Sequence, residues 1–216
     1  MRRRVRSLLA MALSMTAVRA PCAHAQPTAP PGARVVELTP YAGYRIGGQT
    51  NAEDGALDFE DAASVGASLE YVARPGGRVG LLYSRQATHV TVRPFSVGEP
   101  ESTLGMTIQW VQLTGSTDVG GTGAVRPYVV ASLGGSYLDP GPSEAESDWN
   151  AAGTVGAGLR GALADRLRAR LEARLLGTFI DASSRVFCSL PGACAVSVNG
   201  ELLTQFDVSL GLSVAF

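Results

Sequence analysis

The stretch QFDVSLGLSVAF, residues 205–216, alternates strictly between large apolar side chains and polar or small ones. The apolar parity consists of Phe206, Val208, Leu210, Leu212, Val214 and Phe216. The other parity consists of Gln205, Asp207, Ser209, Gly211 and Ser213. Because successive side chains of a strand point to opposite faces, this period of two predicts a β-strand with one apolar and one polar face.

Seven further segments between residues 35 and 180 show the same period. They cover residues 36–46, 63–71, 79–86, 104–113, 126–138, 151–160 and 167–175. The apolar parity of the fourth segment consists of Leu104, Met106, Ile108 and Trp110. It shifts near residues 111–113, and since one extra residue in a strand produces such a shift, the pattern predicts a β-bulge there.

The seventh segment lies in ADRLRARLEARLLG (164–177), which is rich in strong helix formers. Leucines at positions 163, 167, 171 and 175 keep the i, i+4 spacing of a helix, so a helical alternative remains open. The charges at 168, 170, 172 and 174 would spread around a helix, whereas on a strand they form one row. We therefore predict a strand.

The connections between these segments alternate in length. Residues 74–77, 117–124 and 164–166 form short turns, whereas residues 49–61, 93–103, 139–149 and 181–202 form longer loops. This pattern predicts an all-β fold, an eight-stranded antiparallel up-and-down transmembrane β-barrel of the bacterial outer-membrane kind, with lipid outside and a packed polar lumen. A soluble lipocalin-like barrel would instead place the apolar parity inside. Three features favour the membrane version: a signal peptide at residues 1–25, the terminal Phe216 and the charged row at 168–174.

Composition excludes several other classes of protein. The chain of 216 residues is 45% hydrophobic with a net charge of -1, which excludes a disordered chain. No apolar run of about 18 to 20 residues exists beyond the first 25 positions, which excludes a helical membrane protein. The chain has no lysine, and its arginines form no basic stripe beyond the N-terminus, so no nucleic-acid partner is expected.

The first 25 residues have the three parts of a cleavable signal peptide. Arginines at positions 2, 3, 4 and 6 precede the short apolar stretch 7–18, and Ala23-His24-Ala25 is a small-x-small cleavage site. We therefore predict Sec-type export and divide the chain into a signal peptide (1–25), a short periplasmic segment (26–34) and an outer-membrane barrel (35–216). Without residues 1–25 the chain keeps 13 arginines and all 19 acidic residues, a net charge of -6.

After cleavage the chain keeps two cysteines, Cys188 and Cys194. Since exported proteins fold in an oxidising compartment, this pair is predicted to form a small disulfide loop. Neither a second ligand pair nor a nearby histidine accompanies it, so no metal site and no cofactor are predicted.

The charged residues on the polar parity are the most informative about the function of the barrel interior. Eight are predicted to line the barrel interior: Arg45, Glu70, Arg160, Arg168, Arg170, Glu172, Arg174 and Asp207. Because unpaired buried charges are costly, they are expected to form a salt-bridged plug that closes the barrel. The alternative is a narrow pore for small solutes, biased towards anions by its arginines.

Three weaker signals remain. Acidic residues in the first and third long loops could bind divalent cations that bridge to lipopolysaccharide; they are Glu53, Asp54, Asp58, Glu60, Asp61, Asp139, Glu144, Glu146 and Asp148. His89 with Ser84 or Ser96 could form part of a lipid-hydrolysing site, although no Gly-x-Ser-x-Gly element accompanies them. The aromatic residues expected in interfacial girdles are Tyr41, Tyr44, Tyr71, Tyr83, Trp110, Tyr137 and Trp149.

The sequence resembles the small outer-membrane β-barrel proteins, the OmpA/OmpX-type and OmpW-like group, and more closely the "outer membrane protein beta-barrel domain" families of Gram-negative bacteria. The resembling stretches are LTPYAGYRIGG (38–48), VGLLYSRQAT (79–88), VRPYVVASLGG (125–135), LADRLRARLEAR (163–174), FCSLPGAC (187–194) and QFDVSLGLSVAF (205–216). The resemblance implies a location in the cell outer membrane. It also implies that the terminal strand ending in Phe216 is the signal read by the barrel-assembly machinery.

These observations favour a non-enzymatic barrel with a structural, envelope-integrity or surface-interaction role. The expected partners are outer-membrane lipids and lipopolysaccharide, with the assembly machinery and periplasmic chaperones during biogenesis, and the barrel is expected to be a monomer. A porin-like channel for small solutes is the alternative, and a lipid-modifying enzyme comes third.

Overall fold

A computed structural model describes residues 36–52, 55–94, 101–120, 123–140, 147–180, 188–190, 193–194 and 201–216. The predicted signal peptide (1–25) and the predicted periplasmic segment (26–34) lie outside these residues. In the part of the chain that is described, no helix is long and apolar enough to cross a membrane.

Eight long antiparallel strands form the barrel wall. They are β1 (Val36–Ile46), β4 (Ala62–Arg74), β5 (Gly77–Pro94), β6 (Ser102–Asp118), β7 (Val125–Asp139), β8 (Asp148–Ala164), β9 (Leu167–Ile180) and β12 (Glu201–Ala215). Each pairs with the next, and β12 pairs with β1 to close the barrel. The predicted fold is therefore confirmed. The predicted strand at 167–175 is part of β9, so the helical alternative is wrong.

Two small hairpins complete the described structure. The first consists of β2 (Gln49–Ala52) and β3 (Gly55–Phe59), and β3 extends the wall by pairing with β5. The second consists of β10 (Cys188–Leu190) and β11 (Ala193–Cys194), which pair only with each other.

The short connections, the start of β1 and the end of β12 all lie at one end of the barrel, which we call the turn end; the opposite end is the loop end. At the turn end, Pro75 and Gly76 join β4 to β5. The φ angle of Gly76 is 79°, a conformation that side-chain-bearing residues rarely adopt, so glycine suits this turn.

Over most of the barrel the outer surface is apolar. Outward side chains of β1, β4, β9 and β12 that are exposed include Leu38, Tyr44, Ile46, Val65, Leu69, Leu171, Leu175, Phe206, Val208, Leu210 and Leu212. Polar residues such as Ser64, Ser68, Gln205 and Ser209 are buried on the inward side of the same strands. A soluble protein has the opposite distribution, so this part of the wall is suited to contact lipid.

The predicted bulge in β6 is wrong. The β6–β7 register is continuous from Thr107, opposite Asp139, to Asp118, opposite Tyr128. Ile108 and Trp110 instead point inward and are fully buried, whereas Leu113 points outward and is 71% exposed. The apolar side of the strand therefore changes from inward to outward without a break in pairing.

The same change occurs in the neighbouring strand β5. Leu81 and Tyr83 are exposed on its outer side nearer the turn end, whereas Val90 and Val92 are buried on its inner side nearer the loop end. On their outer side, the loop-end parts of β5 and β6 carry Arg85, Ala87, His89, Thr91, Arg93, Thr103, Gly105, Thr107 and Gln109. We call these parts, residues 85–94 and 101–109, the projecting wall, because they have the apolar interior and polar exterior of a water-soluble barrel.

Candidate functional site

The barrel interior contains the predicted charged residues. Seven of the eight are buried: Arg45, Glu70, Arg160, Arg170, Glu172, Arg174 and Asp207. The side chain of the eighth, Arg168, is 37% exposed at the turn end. Three further interior charges were not singled out from the sequence, namely Glu37, Arg78 and Asp118. Glu37 and Arg78 lie on the inward parity of β1 and β5, so strict application of the alternation would have found them.

At the turn end, Glu37 is buried between two arginines. Its carboxylate accepts hydrogen bonds from Arg78 Nε at 2.9 Å and Nη2 at 3.3 Å, and a further one from Arg168 Nη1. Asp118 lies nearby, with Arg160 Nε 3.3 Å from its Oδ1. We call this group, together with Arg126, the mouth cluster.

A central cluster lies above the mouth cluster, towards the loop end. Glu172 accepts a hydrogen bond from Arg170 Nη2 at 2.7 Å and others from Arg174 and Tyr128. Arg170 also donates through Nη1 to Glu70, which lies on β4. The central cluster therefore ties β9 to β4, two strands that β12 and β1 separate in the wall.

The next level towards the loop end is one ion pair. Arg45 Nε donates to Asp207 Oδ2 at 3.2 Å, and Arg45 Nη2 donates to Ser84 Oγ at 2.8 Å. Ser64 Oγ donates to the same Asp207 oxygen at 2.6 Å. The Arg45 guanidinium lies 4.0 Å from the ring centroid of Trp110, a cation–π contact. Trp110 thus joins the charged interior to the apolar layer beyond it.

A buried apolar layer fills the interior at the loop end. Its members, contributed by seven strands, are Leu57, Phe59, Val90, Val92, Met106, Ile108, Trp110, Leu138, Ala152, Leu176, Ile180 and Leu203. The alternation assigns Met106, Ile108 and Trp110 to the lipid-facing side, because periodicity alone does not distinguish inside from outside. The expected wholly polar lumen is therefore wrong at this end.

One cavity in the central part of the interior is small. Its volume is about 10 Å³, and it lies among Thr39, Tyr41, Ser68, Arg170, Glu172, Arg174 and Ser209. That volume is about the minimum needed for one water molecule. Counting the described residues, the interior carries six arginines and five carboxylates, so these charges nearly balance.

The proposed hydrolytic residues are not brought together. Ser84 points inward and is buried, with its hydroxyl accepting the hydrogen bond from Arg45. His89 points outward on the same strand, is 62% exposed and lies 3.6 Å from Glu60. Ser96 lies outside the described residues. Because nucleophile and base must be within hydrogen-bond reach, Ser84 and His89 do not form a catalytic pair.

The aromatic residues separate into two groups. Tyr44, Tyr71, Tyr83 and Trp149 are exposed on the outer surface, and the Tyr137 ring lies 5.3 Å from that of Trp149. Tyr41 and Trp110 are buried inside the barrel, so the expectation that they belong to a girdle is wrong. Tyr41 donates a hydrogen bond to the Tyr83 backbone carbonyl at 2.9 Å, and Trp110 Nε1 is 3.4 Å from Thr178 Oγ1.

The described acidic residues of the first loop have protein partners. Asp58 pairs with Arg93 at 3.2 Å, and Asp61 Oδ1 accepts a hydrogen bond from the Gly47 amide at 2.7 Å. Glu53, Asp54, Glu144 and Glu146 lie outside the residues whose structure is described. Among described residues, no group of three or more His, Cys, Asp or Glu could hold a metal ion. Cation binding by the complete loops stays a prediction.

The two cysteines are partners in the β10–β11 hairpin. Cys188 and Cys194 lie directly opposite each other in its antiparallel register. The backbone thus places them next to each other, and the disulfide stays a prediction.

Comparison with known proteins identifies the fold. No protein-family model and no curated protein matches the chain. Neisserial surface protein A (NspA) has a solved structure with a TM-score of 0.53 and 14% identity, covering 84% of this chain and 97% of NspA. The outer membrane protein OprG from Pseudomonas aeruginosa has a TM-score of 0.52 and 12% identity, covering 86% of this chain and 98% of OprG. The chain therefore has the fold of small outer-membrane β-barrels.

Proposed function

We propose that this chain is a closed, non-enzymatic barrel of the outer membrane with a structural, envelope-integrity or surface-interaction role. The observation that carries the proposal is the apolar layer, which fills the loop end of the lumen above three levels of ion pairs. An ion or small polar solute would have to cross both, and the apolar side chains of the layer would not replace the hydrogen bonds that it makes with water.

The buried ion pairs hold the barrel closed. Removing one partner of a buried pair leaves an uncompensated charge and costs about 3 to 5 kcal/mol. Opening a passage beside Arg170, which lies on β9, would separate it from Glu70, which lies on β4. The inward-facing side chains of the wall strands therefore form a rigid plug.

The polarity of the surfaces supports the membrane location and the orientation. The apolar outer surface is suited to the hydrocarbon of the bilayer, and barrels of this kind keep their short turns in the periplasm and their longer loops outside. In that orientation the projecting wall and the loops face the cell exterior, where lipopolysaccharide and other surfaces are available. In the same orientation the terminal Phe216 lies at the periplasmic end of the barrel.

Conductance measurements test this function. The protein is folded in detergent, its folding is shown by heat-modifiable gel migration, and it is reconstituted into planar bilayers. We expect no discrete openings. Arg93→Gln serves as a control, because Arg93 is exposed on the projecting wall and distant from the plug. Regular openings whose anion preference changes in Arg170→Ala would contradict the closed barrel and support the narrow channel.

A further inference from the structure

A cavity of about 190 Å³ opens at the turn end of the barrel, within the mouth cluster. We call it the mouth cavity; its charged lining residues are Arg78, Asp118, Arg126, Arg160 and Arg168, and its other walls are small residues. We propose that the mouth cavity binds a phosphate group, carried by a soluble phosphate compound or by a phospholipid headgroup.

Among the residues that the structure describes, the charges around the mouth cavity do not balance. Four arginines line it, and the carboxylates that pair with them are those of Asp118 and Glu37. Glu37 is already shared by Arg78 and Arg168. The group therefore carries two excess positive charges, which matches the charge of a phosphate dianion.

Asp118 alone does not satisfy the arginines that surround it. Arg160 Nε, Arg78 Nη1 and Arg126 Nη1 lie 3.3, 3.7 and 3.9 Å from its carboxylate oxygens. Charge-assisted N–H···O bonds are normally about 2.7 to 2.9 Å long. Among the described residues, Asp118 Oδ1 has no hydrogen-bond partner. Three guanidinium groups thus converge on one carboxylate without making a good bond to it.

Arg160 supplies donors that lack a partner. Its side chain is only 4% exposed, yet its Nε and Nη1 have no hydrogen-bond partner within the described part of the chain. It is held in place by an Nη2 hydrogen bond to Ser116 and by stacking 3.7 Å from the Tyr128 ring centroid. Arg78 Nη1 is likewise buried and makes no hydrogen bond to any described residue. Buried donors of this kind are costly unless something accepts from them.

The strand register adds a second, independent observation. Arg126 lies directly opposite Arg160 across β7 and β8, and Arg160 lies directly opposite Arg170 across β8 and β9. Like charges directly opposite each other on adjacent strands are destabilising. The carboxylates of the central cluster compensate Arg170. Within the described ranges, the Arg126–Arg160 pair is compensated by Asp118 alone, so an anion bound beside both arginines would offset their repulsion.

A phosphate group suits this arrangement better than a second carboxylate. The planar fork of arginine can hold two phosphate oxygens at once. The three arginines around Asp118 come from three strands, β5, β7 and β8, and a tetrahedral anion presents oxygens in several directions. The cavity volume admits a phosphate with a small substituent.

Calorimetric titration tests the proposal. Inorganic phosphate is titrated into the folded barrel in a neutral maltoside detergent, with sodium chloride held constant. We expect saturable binding that weakens about 3-fold to 10-fold in Arg126→Gln. Arg93→Gln is the matched control, because Arg93 is an equally exposed arginine at the opposite end: the two side chains are 52% and 54% exposed. Phosphate affinity should be unchanged in that control.

Asp118→Asn should change the phosphate affinity in the opposite direction. Removing the competing carboxylate should tighten phosphate binding about 5-fold or more, whereas a merely structural role for Asp118 would not. A short-chain phosphatidic acid, used below its micelle concentration, distinguishes the source: binding with the same variant pattern indicates a lipid headgroup, and binding of inorganic phosphate alone indicates a soluble compound. No saturable binding of either probe, equal phosphate affinity in Arg126→Gln and the wild type, or no tightening in Asp118→Asn would overturn the proposal.

Discussion

Tyr128 illustrates how single residues shape the barrel interior. Its hydroxyl donates to Glu172 and accepts from Arg170 Nε at 3.2 Å, and Arg160 stacks on its ring. Gly158 lies directly opposite Tyr128 in the β7–β8 register. A Cβ atom at Gly158 would lie 2.6 Å from the Leu171 backbone carbonyl oxygen and 2.7 Å from both Cζ and the hydroxyl oxygen of Tyr128. The absence of a side chain at Gly158 therefore creates the space in which the tyrosine links two clusters.

Replacement of Gly158 tests this packing. We expect Gly158→Val to lower the free energy of unfolding by about 1 to 3 kcal/mol, the usual cost of overpacking. Urea unfolding in lipid vesicles, followed by gel mobility, measures it. Gly105→Val is the matched control, because nothing lies within 4 Å of a Cβ at Gly105. Equal stability losses in both variants would show that the space beside Tyr128 is not required.

The central cluster makes a prediction about charge. Glu172→Gln keeps the shape of the side chain but leaves Arg174 without its carboxylate partner, so we expect a loss of about 3 kcal/mol or more in the same unfolding measurement. Glu101→Gln is the comparison, since Glu101 is exposed and 3.7 Å from Arg93. Exposed pairs contribute little, so its stability should hardly change. A near-neutral Glu172→Gln would contradict the plug as a source of rigidity.

Among the individual elements, β6 shows where sequence reasoning succeeds and fails. Alternation found all eight wall strands, and in β9 the row of charges outweighed strong helix propensity. In β6 the apolar residues change from the inner to the outer side of the barrel between Trp110 and Val111. Periodicity alone predicts a bulge from this change. The physical cause is the surroundings: water on the outside of the projecting wall and lipid nearer the turn end. A pattern of apolar residues records what is buried or lipid-facing, and it does not say which.

The two halves of β6 should tolerate charge differently. Leu113 and Thr107 both point outward, but Leu113 lies on the lipid-facing part and Thr107 on the projecting wall. We expect Leu113→Arg to cost about 2 to 4 kcal/mol in unfolding free energy, because arginine on the lipid-facing side of a barrel is unfavourable. Thr107→Arg should cost less than about 1 kcal/mol. Similar losses at both positions would contradict the change of polarity.

The β10–β11 hairpin allows a test of the predicted disulfide. Cys188 and Cys194 are register partners, and Cys22 belongs to the predicted signal peptide, so the mature chain should resist alkylation unless reduced. Mass spectrometry before and after reduction measures this. Reduction should lower the free energy of unfolding by at most about 2 to 3 kcal/mol, since the closed loop is short. Two freely alkylated cysteines in the oxidised, folded protein would refute the pairing.

The whole barrel combines two opposite distributions of polar and apolar side chains. Most of it is polar or charged inside and apolar outside, whereas the projecting wall is apolar inside and polar outside. The sequence predicted the strands, their antiparallel order and most interior charges. The contacts among the charges and the apolar layer could not be predicted, because both depend on strands far apart in sequence. Asp207 and Arg45, for example, are 162 residues apart and meet only when the barrel closes.

The most direct test of this account is a depth profile along the outer side of β6. Spin labels are placed singly at residues 103, 105, 107, 111, 113 and 115 of the reconstituted protein, and their collisions with oxygen and with a water-soluble nickel complex are compared. We expect lipid exposure at 111, 113 and 115 and water exposure at 103, 105 and 107. Lipid exposure at all six positions, or water exposure at all six, would contradict it.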